Sequence, residues 1–223
     1  MNLPALSLLE TRILGVLVEK QHTVPDTYPL TLNALVAGCN QKTSRDPIIN
    51  AGDADVQAAI DRLKEDLWVV ESSGGRVMRY AHNAERVLAI PAQSAALLAV
   101  LLLRGPQTVG ELRINCDRLH RFADISAVEA FLHELAARPA GGLVVELARA
   151  PGARETRWAQ LLSGAPPETT AVAGAADADR ADATFAPASA REWAALRDDV
   201  AALQREVEAL KAAIAELRAQ RAV

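Results

Sequence analysis

The chain has 223 residues, 50% of them hydrophobic and 4% aromatic, so its core must rest on Leu, Val, Ile and Ala. Its formal charge of −4 gives no wholesale attraction to nucleic acid. Two cysteines, Cys39 and Cys116, are too few for a disulfide framework and fit a reducing compartment. Residues 1–6 lack the basic region and apolar run of a secretory signal. The longest apolar stretch, 94–103, is far short of the ~20 residues that cross a bilayer. The expectation is a cytoplasmic protein without a membrane segment.

In chain order, the first helix carries Leu9, Ile13, Val16 and Leu17 at helical spacing. A short second helix holds Cys39 and an apolar face of Leu32, Leu35 and Val36. Asp53 is the expected N-cap of a third helix bearing Val56, Ile60 and Leu63. The β-branched pair Val69-Val70, a Gly74-Gly75 turn and the run 76–81 then read as a β-hairpin. The same order returns after residue 88. "ILGVLVEK" (13–20) matches "LLAVLLLR" (97–104), and "ALVAGCNQ" (34–41) matches "ELRINCDR" (111–118). "VQAAIDRL" (56–63) matches "VEAFLHEL" (128–135), and "WVVE" (68–71) matches "LVVE" (143–146). "RVMRYA" (76–81) matches "RETRWA" (154–159). Offsets change only between blocks, as they do when loops drift around a fixed set of elements. Ser126, with Glu129 three residues on, is the expected cap of the second copy's third helix.

Residues 163–188 are rich in Ala, Gly, Pro, Thr and Asp and read as a flexible linker. A strict heptad follows. Trp193, Val200, Val207 and Ile214 fall at a, and Leu196, Leu203, Leu210 and Leu217 at d. This pattern favours a parallel two-stranded coil. The g-to-e pairs Glu192–Arg197 and Glu206–Lys211 are opposite in charge, and no such pair is repulsive. The alternative is an amphipathic helix folded back on its own domains. The expected fold is therefore α+β and mainly helical. It comprises two tandem winged-helix domains (5–88 and 89–162), a flexible linker (163–188) and a coiled-coil helix (189–221).

Three strings carry a family resemblance: "RILGVLVEKQHTVPDTYPLTLNALVAGCNQKTSRDP" (12–47), "GGRVMRYAH" (74–82) and "LLLRGPQTVGELR" (101–113). They resemble the YceH-like family of bacterial proteins. The resemblance covers roughly residues 5–162 and implies paired winged helices. It supplies neither a function nor site residues.

A winged helix usually reads DNA with its third helix in the major groove, and that helix needs cations. Here residues 53–66 hold Asp53, Asp55, Asp61, Glu65 and Asp66 against Arg62 and Lys64. The second copy offers Glu129 and Glu134 and no Lys or Arg before Arg138. Cations gather instead at Lys42 and Arg45, and at Arg113, Arg118, His120 and Arg121. The wings add Arg76, Arg79, Arg154 and Arg157. The candidate nucleic-acid contacts are thus Lys42, Arg45, Arg76, Arg79, Arg118, Arg121, Arg154 and Arg157, with solvated or salt-bridged arginine as the structural alternative.

Tyr80 and Trp158 are expected to pack the last strands onto the helices. Cys116 and His120 share a helical face, but no further zinc ligand follows at suitable spacing. Both cysteines read as small buried residues. Tyr28, in the proline-flanked string 24–31, is either an exposed contact or part of a loop tucked over the first helix. No catalytic residue, metal site or cofactor is expected, so the protein does not read as an enzyme. Two functions remain: a DNA-associated regulator dimerised by its C-terminal helix, or a protein-interaction adaptor without sequence-specific DNA binding.

Overall fold

Helix α1 (Leu8–Thr23) opens on a capping box, in which the Glu10 amide donates to Ser7 Oγ and the Ser7 amide donates to Glu10 Oε2. The computed structural model describes residues 5–73, 77–149 and 154–165. These belong to the first of two units of the chain, Met1–Ala173. The linker beyond residue 165 and the heptad segment 189–221, from Trp193 to Leu217, lie outside the described residues. So do Arg76, the expected Gly74-Gly75 turn and residues 150–153.

The first half continues with a single 3-10 turn (Pro25–Thr27), β1 (Leu30–Thr31), α2 (Leu32–Cys39), α3 (Asp53–Glu65), β2 (Val69–Ser72) and β3 (Arg79–His82). A short helix, α4 (Ala84–Leu88), leads into the second half: α5 (Ala92–Arg104), α6 (Val109–Cys116), α7 (Ile125–Ala136), β4 (Val144–Leu147) and β5 (Arg157–Gln160). The chain is thus mixed α and β, with seven α-helices and two small antiparallel sheets among the described residues. Over its described residues, every matched block contributes to the same element in both halves.

The first sheet runs in the order β1-β3-β2, with Leu30 opposite Tyr80 and Glu71 opposite Tyr80 on the other edge. The second is a two-stranded ladder with Glu146 opposite Trp158. Gln107 makes an isolated bridge to Trp158, in the place Leu30 takes beside Tyr80. The second sheet therefore keeps a one-residue remnant of the third strand.

Two expected caps move. Gly52, not Asp53, caps α3, and its amide donates to Asp55 Oδ2 at 3.2 Å. Asp124, not Ser126, caps α7, accepting from the Ala127 amide at 2.8 Å. In each case the cap lies at the end of an extended residue, and the sequence offered two capping types close together. Two elements, β1 and α4, were not foreseen. Both are too short to show a period.

The halves share one core. Helices α1 and α5 lie against each other, and the buried cluster runs without a break from Leu6 to Leu162. Residues 10–18 of α1 and 94–103 of α5 are buried. The apolar run 94–103 is thus the all-round hydrophobic surface of a central helix. Gly15 makes the crossing possible, because a Cβ there would sit 2.8 Å from Leu103 Cγ. Gly38 likewise lets α2 approach α1, since its Cβ would lie 2.6 Å from Val16 Cγ1. The Leu6 amide donates to the Leu162 carbonyl at 2.8 Å, tying the start of the first half to the end of the second. No helix among the described residues is long and apolar enough to cross a membrane.

Candidate nucleic-acid interface

The third helices face solvent with the charge the sequence indicated. Val56, Ile60 and Leu63 bury one face of α3, leaving Asp53, Asp55, Asp61 and Glu65 exposed. Both of its cations are engaged by acids. Arg62 Nε donates to Glu10 Oε1 at 2.7 Å, and Lys64 pairs with Glu71 on β2. Burial raises the Glu10 pKa, but hydrogen bonds from Ser7 and the pairing with Arg62 outweigh it, so the carboxyl titrates below its usual range. On α7, Val128, Leu132 and Leu135 face the core while Glu129 and Glu134 are exposed. Arg138, just past α7, donates to the Leu88 carbonyl. Neither helix presents an unpaired cation to a groove.

The candidate cations separate on inspection. Arg45 leaves the set. It is buried, its Nη1 and Nη2 donate to the Glu19 carboxylate at 3.1 and 2.6 Å, and its Nε donates to the Gly38 carbonyl. A guanidinium committed on three sides has no donor left for a phosphate. Arg79 is exposed, yet its Nη1 donates to the Thr27 and Pro29 carbonyls and so clamps the loop before β1. Arg121 pairs with Asp117 one turn away at 3.0 Å. Lys42, Arg118, Arg154 and Arg157 are exposed and make no ion pair among the described residues. Arg76 lies outside those residues. The structure thus leaves four of the eight candidates in a state to meet a phosphate, and three of those four belong to the second half.

The family-like string 12–47 proves to be an internal scaffold. Arg12 is fully buried, with Nη1 donating to the Cys39 carbonyl at 3.0 Å and Nη2 to the Pro47 carbonyl at 2.6 Å. Asn40 closes the same loop by exchanging hydrogen bonds with Ala51, at 2.9 and 2.7 Å. The Asp46 amide then donates to the Leu103 carbonyl of α5. The long connection between α2 and α3 is therefore pinned to both halves. The buried arginine was missed from sequence because Arg12 sits in an otherwise apolar period. The only available signal was its conflict with that period.

The remaining singled-out residues pack or hydrogen-bond within the fold. Burial pushes both the Cys39 and Cys116 thiols up to about 12, against the opposing pull of Arg12 and Arg45 on Cys39. Neither is a nucleophile at neutral pH. His120 meets the ring of Phe122 at 4.7 Å. Tyr80 and Trp158 are buried as expected, and the Tyr80 hydroxyl donates to Gln57 of α3. Tyr28 is half-buried. Its hydroxyl accepts from the His82 amide at 2.8 Å, which fastens the 24–31 loop to β3, while the Pro25–Thr27 turn at the start of that loop lies against α1.

These features define a class: a doubled three-helix-plus-hairpin protein with one shared core and acidic outer faces on its third helices. The chain belongs to the bacterial family described as "Protein of unknown function, DUF480", whose model matches residues 6–153. That agrees with the YceH-like resemblance of the 12–47 string. It is 56% identical over 216 residues to a UPF0502 protein of Dechloromonas aromatica, covering 97% of this chain and 94% of the relative. It is 60% identical over 206 residues to a UPF0502 protein of Cupriavidus necator, covering 90% of this chain and 83% of the relative. A third relative, from Methylibium petroleiphilum, is 58% identical over 207 residues, covering 92% of this chain and 85% of its own length.

Proposed function

We propose that this protein is a tandem winged-helix adaptor that docks other proteins and self-associates through residues 189–221, without reading DNA sequence. One observation carries the reading: α3, the element that enters the major groove in DNA-binding winged helices, exposes carboxylates, and both its cations are held by acids. Bringing four exposed carboxylates against phosphates is repulsive, whereas they complement a basic protein surface. The heptad supplies the second half of the reading, since β-branched a positions with Leu at d specify a two-stranded coil.

Affinity capture with the full chain tests the docking face. Proteins retained by the wild type and lost from the D53K/D61K/E65K variant support it, and identical recovery by both overturns it. Sedimentation of the full chain tests the coil. A dimer at tens of micromolar that Leu203→Asp converts to a monomer is expected, and a wild-type monomer at that concentration excludes it.

A second reading has its own support. Lys42, Arg118, Arg154 and Arg157 are exposed and free of ion pairs among the described residues, which suits contacts to a phosphate backbone without base readout. Fluorescence anisotropy on a mixed-sequence duplex separates the two. Binding at low salt that falls on R154Q/R157Q favours the DNA-associated regulator. Binding that appears only in the triple lysine variant favours the adaptor.

A further inference from the structure

A polar cleft lies where the two halves meet, between the C-terminal ends of α1, α5 and α6. Glu19 and Lys20 line it from α1, Arg104 from α5, Asn115 and Arg118 from α6 and the residues after it, and Ser44 from the α2–α3 loop. The two basic residues Lys20 and Arg104 occupy matching positions of the repeat, so the pseudo-symmetry of the fold itself brings them together.

The charge balance of this cleft is lopsided. Its one carboxylate, Glu19, is gripped by Arg45 through both oxygens and lies 3.5 Å from Lys20 Nζ. Arg104 donates to Ser44 Oγ at 2.7 Å, and neither Arg104 nor Arg118 has a carboxylate partner among the described residues. Lys20, Arg45, Arg104 and Arg118 against Glu19 leave a net charge of +3. The carbonyl ends of α1, α5 and α6 each offset roughly half a unit charge. About one and a half positive charges then remain without a counter-charge among the described residues. Burial is the main cause that disfavours the charged form of Arg104; the Glu19 carboxylate opposes it and the like charge of Arg45 adds to it.

We propose that this cleft binds a phosphate anion, as inorganic phosphate or as the phosphate group of a small monoester. The charge matches, and the donors are of two useful kinds. Arg104 and Arg118 offer planar guanidinium forks, while Lys20, Ser44 and Asn115 add single donors. Size sets the upper limit. The cleft holds about 160 Å³, the share of roughly five water molecules, which admits one phosphate and a few further atoms but not a nucleotide. Because the lining comes from both halves, a bound anion links them.

Isothermal titration of the full chain with sodium phosphate, at ionic strength matched with chloride, tests this. Saturable binding at one site per chain is expected, with sulfate competing and with a matching rise in Tm. Arg118→Gln removes an exposed side chain outside the core and is expected to weaken binding about tenfold or more, since hydrogen bonds to charged groups are worth that much. Lys20→Gln serves as a second variant and Arg86→Gln, an exposed arginine outside the cleft, as the control that leaves affinity unchanged. Repeating the titration with glycerol phosphate separates the two sources: tighter binding than inorganic phosphate assigns the site to a monoester, and weaker binding assigns it to the free ion. No saturable heat with either compound overturns the proposal, and so does wild-type affinity in both R118Q and K20Q.

Discussion

Arg12 and Arg45 are the most deeply buried cations described in the molecule, and they are satisfied differently. Arg45 faces a carboxylate, whereas Arg12 is held by the carbonyls of Cys39 and Pro47 and leaves its Nε without a partner. Removing one member of a buried ion pair strands the other, at about 3–5 kcal/mol. Arg45→Gln should therefore destabilise by about that much, while E19Q/R45Q costs less than the sum of the two single changes. Urea denaturation of the four proteins measures this, and strict additivity would show that the pair is not coupled. Gly38 offers a steric counterpart. Gly38→Ala forces a methyl into Val16 and should cost about 1–3 kcal/mol, with most of that cost gone in a Val16→Ala background.

His82 makes the stability of the first half depend on pH. Burial, reinforced by the nearby charge of His22, brings its imidazole down to about 4 from an ordinary 6.5. The unfolded chain therefore takes up this proton first. Stability is full above about pH 6.5 and falls as the pH drops toward 4, by about 3 kcal/mol at most for a shift of this size. Glu10, whose pKa is lowered, adds its own loss only below its ordinary value of 4.5. Comparing urea midpoints at pH 7 and pH 5 checks the histidine contribution. His82→Gln should show a shallower decline than the wild type, and an unchanged slope would remove His82 from the account.

At the scale of elements, the caps give the sharpest test. Asp124→Ala should cost about 1 kcal/mol, the usual worth of an N-cap, while Ser126→Ala should stay within a few tenths. The reverse order would restore the cap expected from sequence. Element type was legible because the helices carry clear apolar stripes: Val56, Ile60 and Leu63 in α3, and Val128, Leu132 and Leu135 in α7. Element ends were less so. A cap depends on which backbone amide lies within reach of a side chain, and Asp124 and Ser126 are both good acceptors two residues apart. The β1 strand of two residues exists only because β3 offers it an edge, so no local pattern announces it.

At the scale of the whole molecule, the α1–α5 contact joins the two halves in one core, which predicts that they unfold together. Trp68 and Trp158 are both buried, one in each half, and report on them separately. Single-tryptophan variants, with the other tryptophans changed to Phe, should unfold in urea at coincident midpoints. Midpoints that separate would show halves that stand alone.

The repeat, the three helices and the hairpin of each copy, the apolar faces and the acidic third helices could all be read along the chain, whereas the short β1 and α4 could not. The legible features follow from periodicity and composition, which act along the chain. Which cations stay unpaired among the described residues follows from the folded arrangement. Arg45 and Arg118 look alike in sequence, yet one is buried against Glu19 and the other stands beside an unbalanced cleft. That difference depends on where α1, α5 and the α2–α3 loop converge, and charge balance in a folded chain is set by neighbours in space rather than by neighbours in sequence.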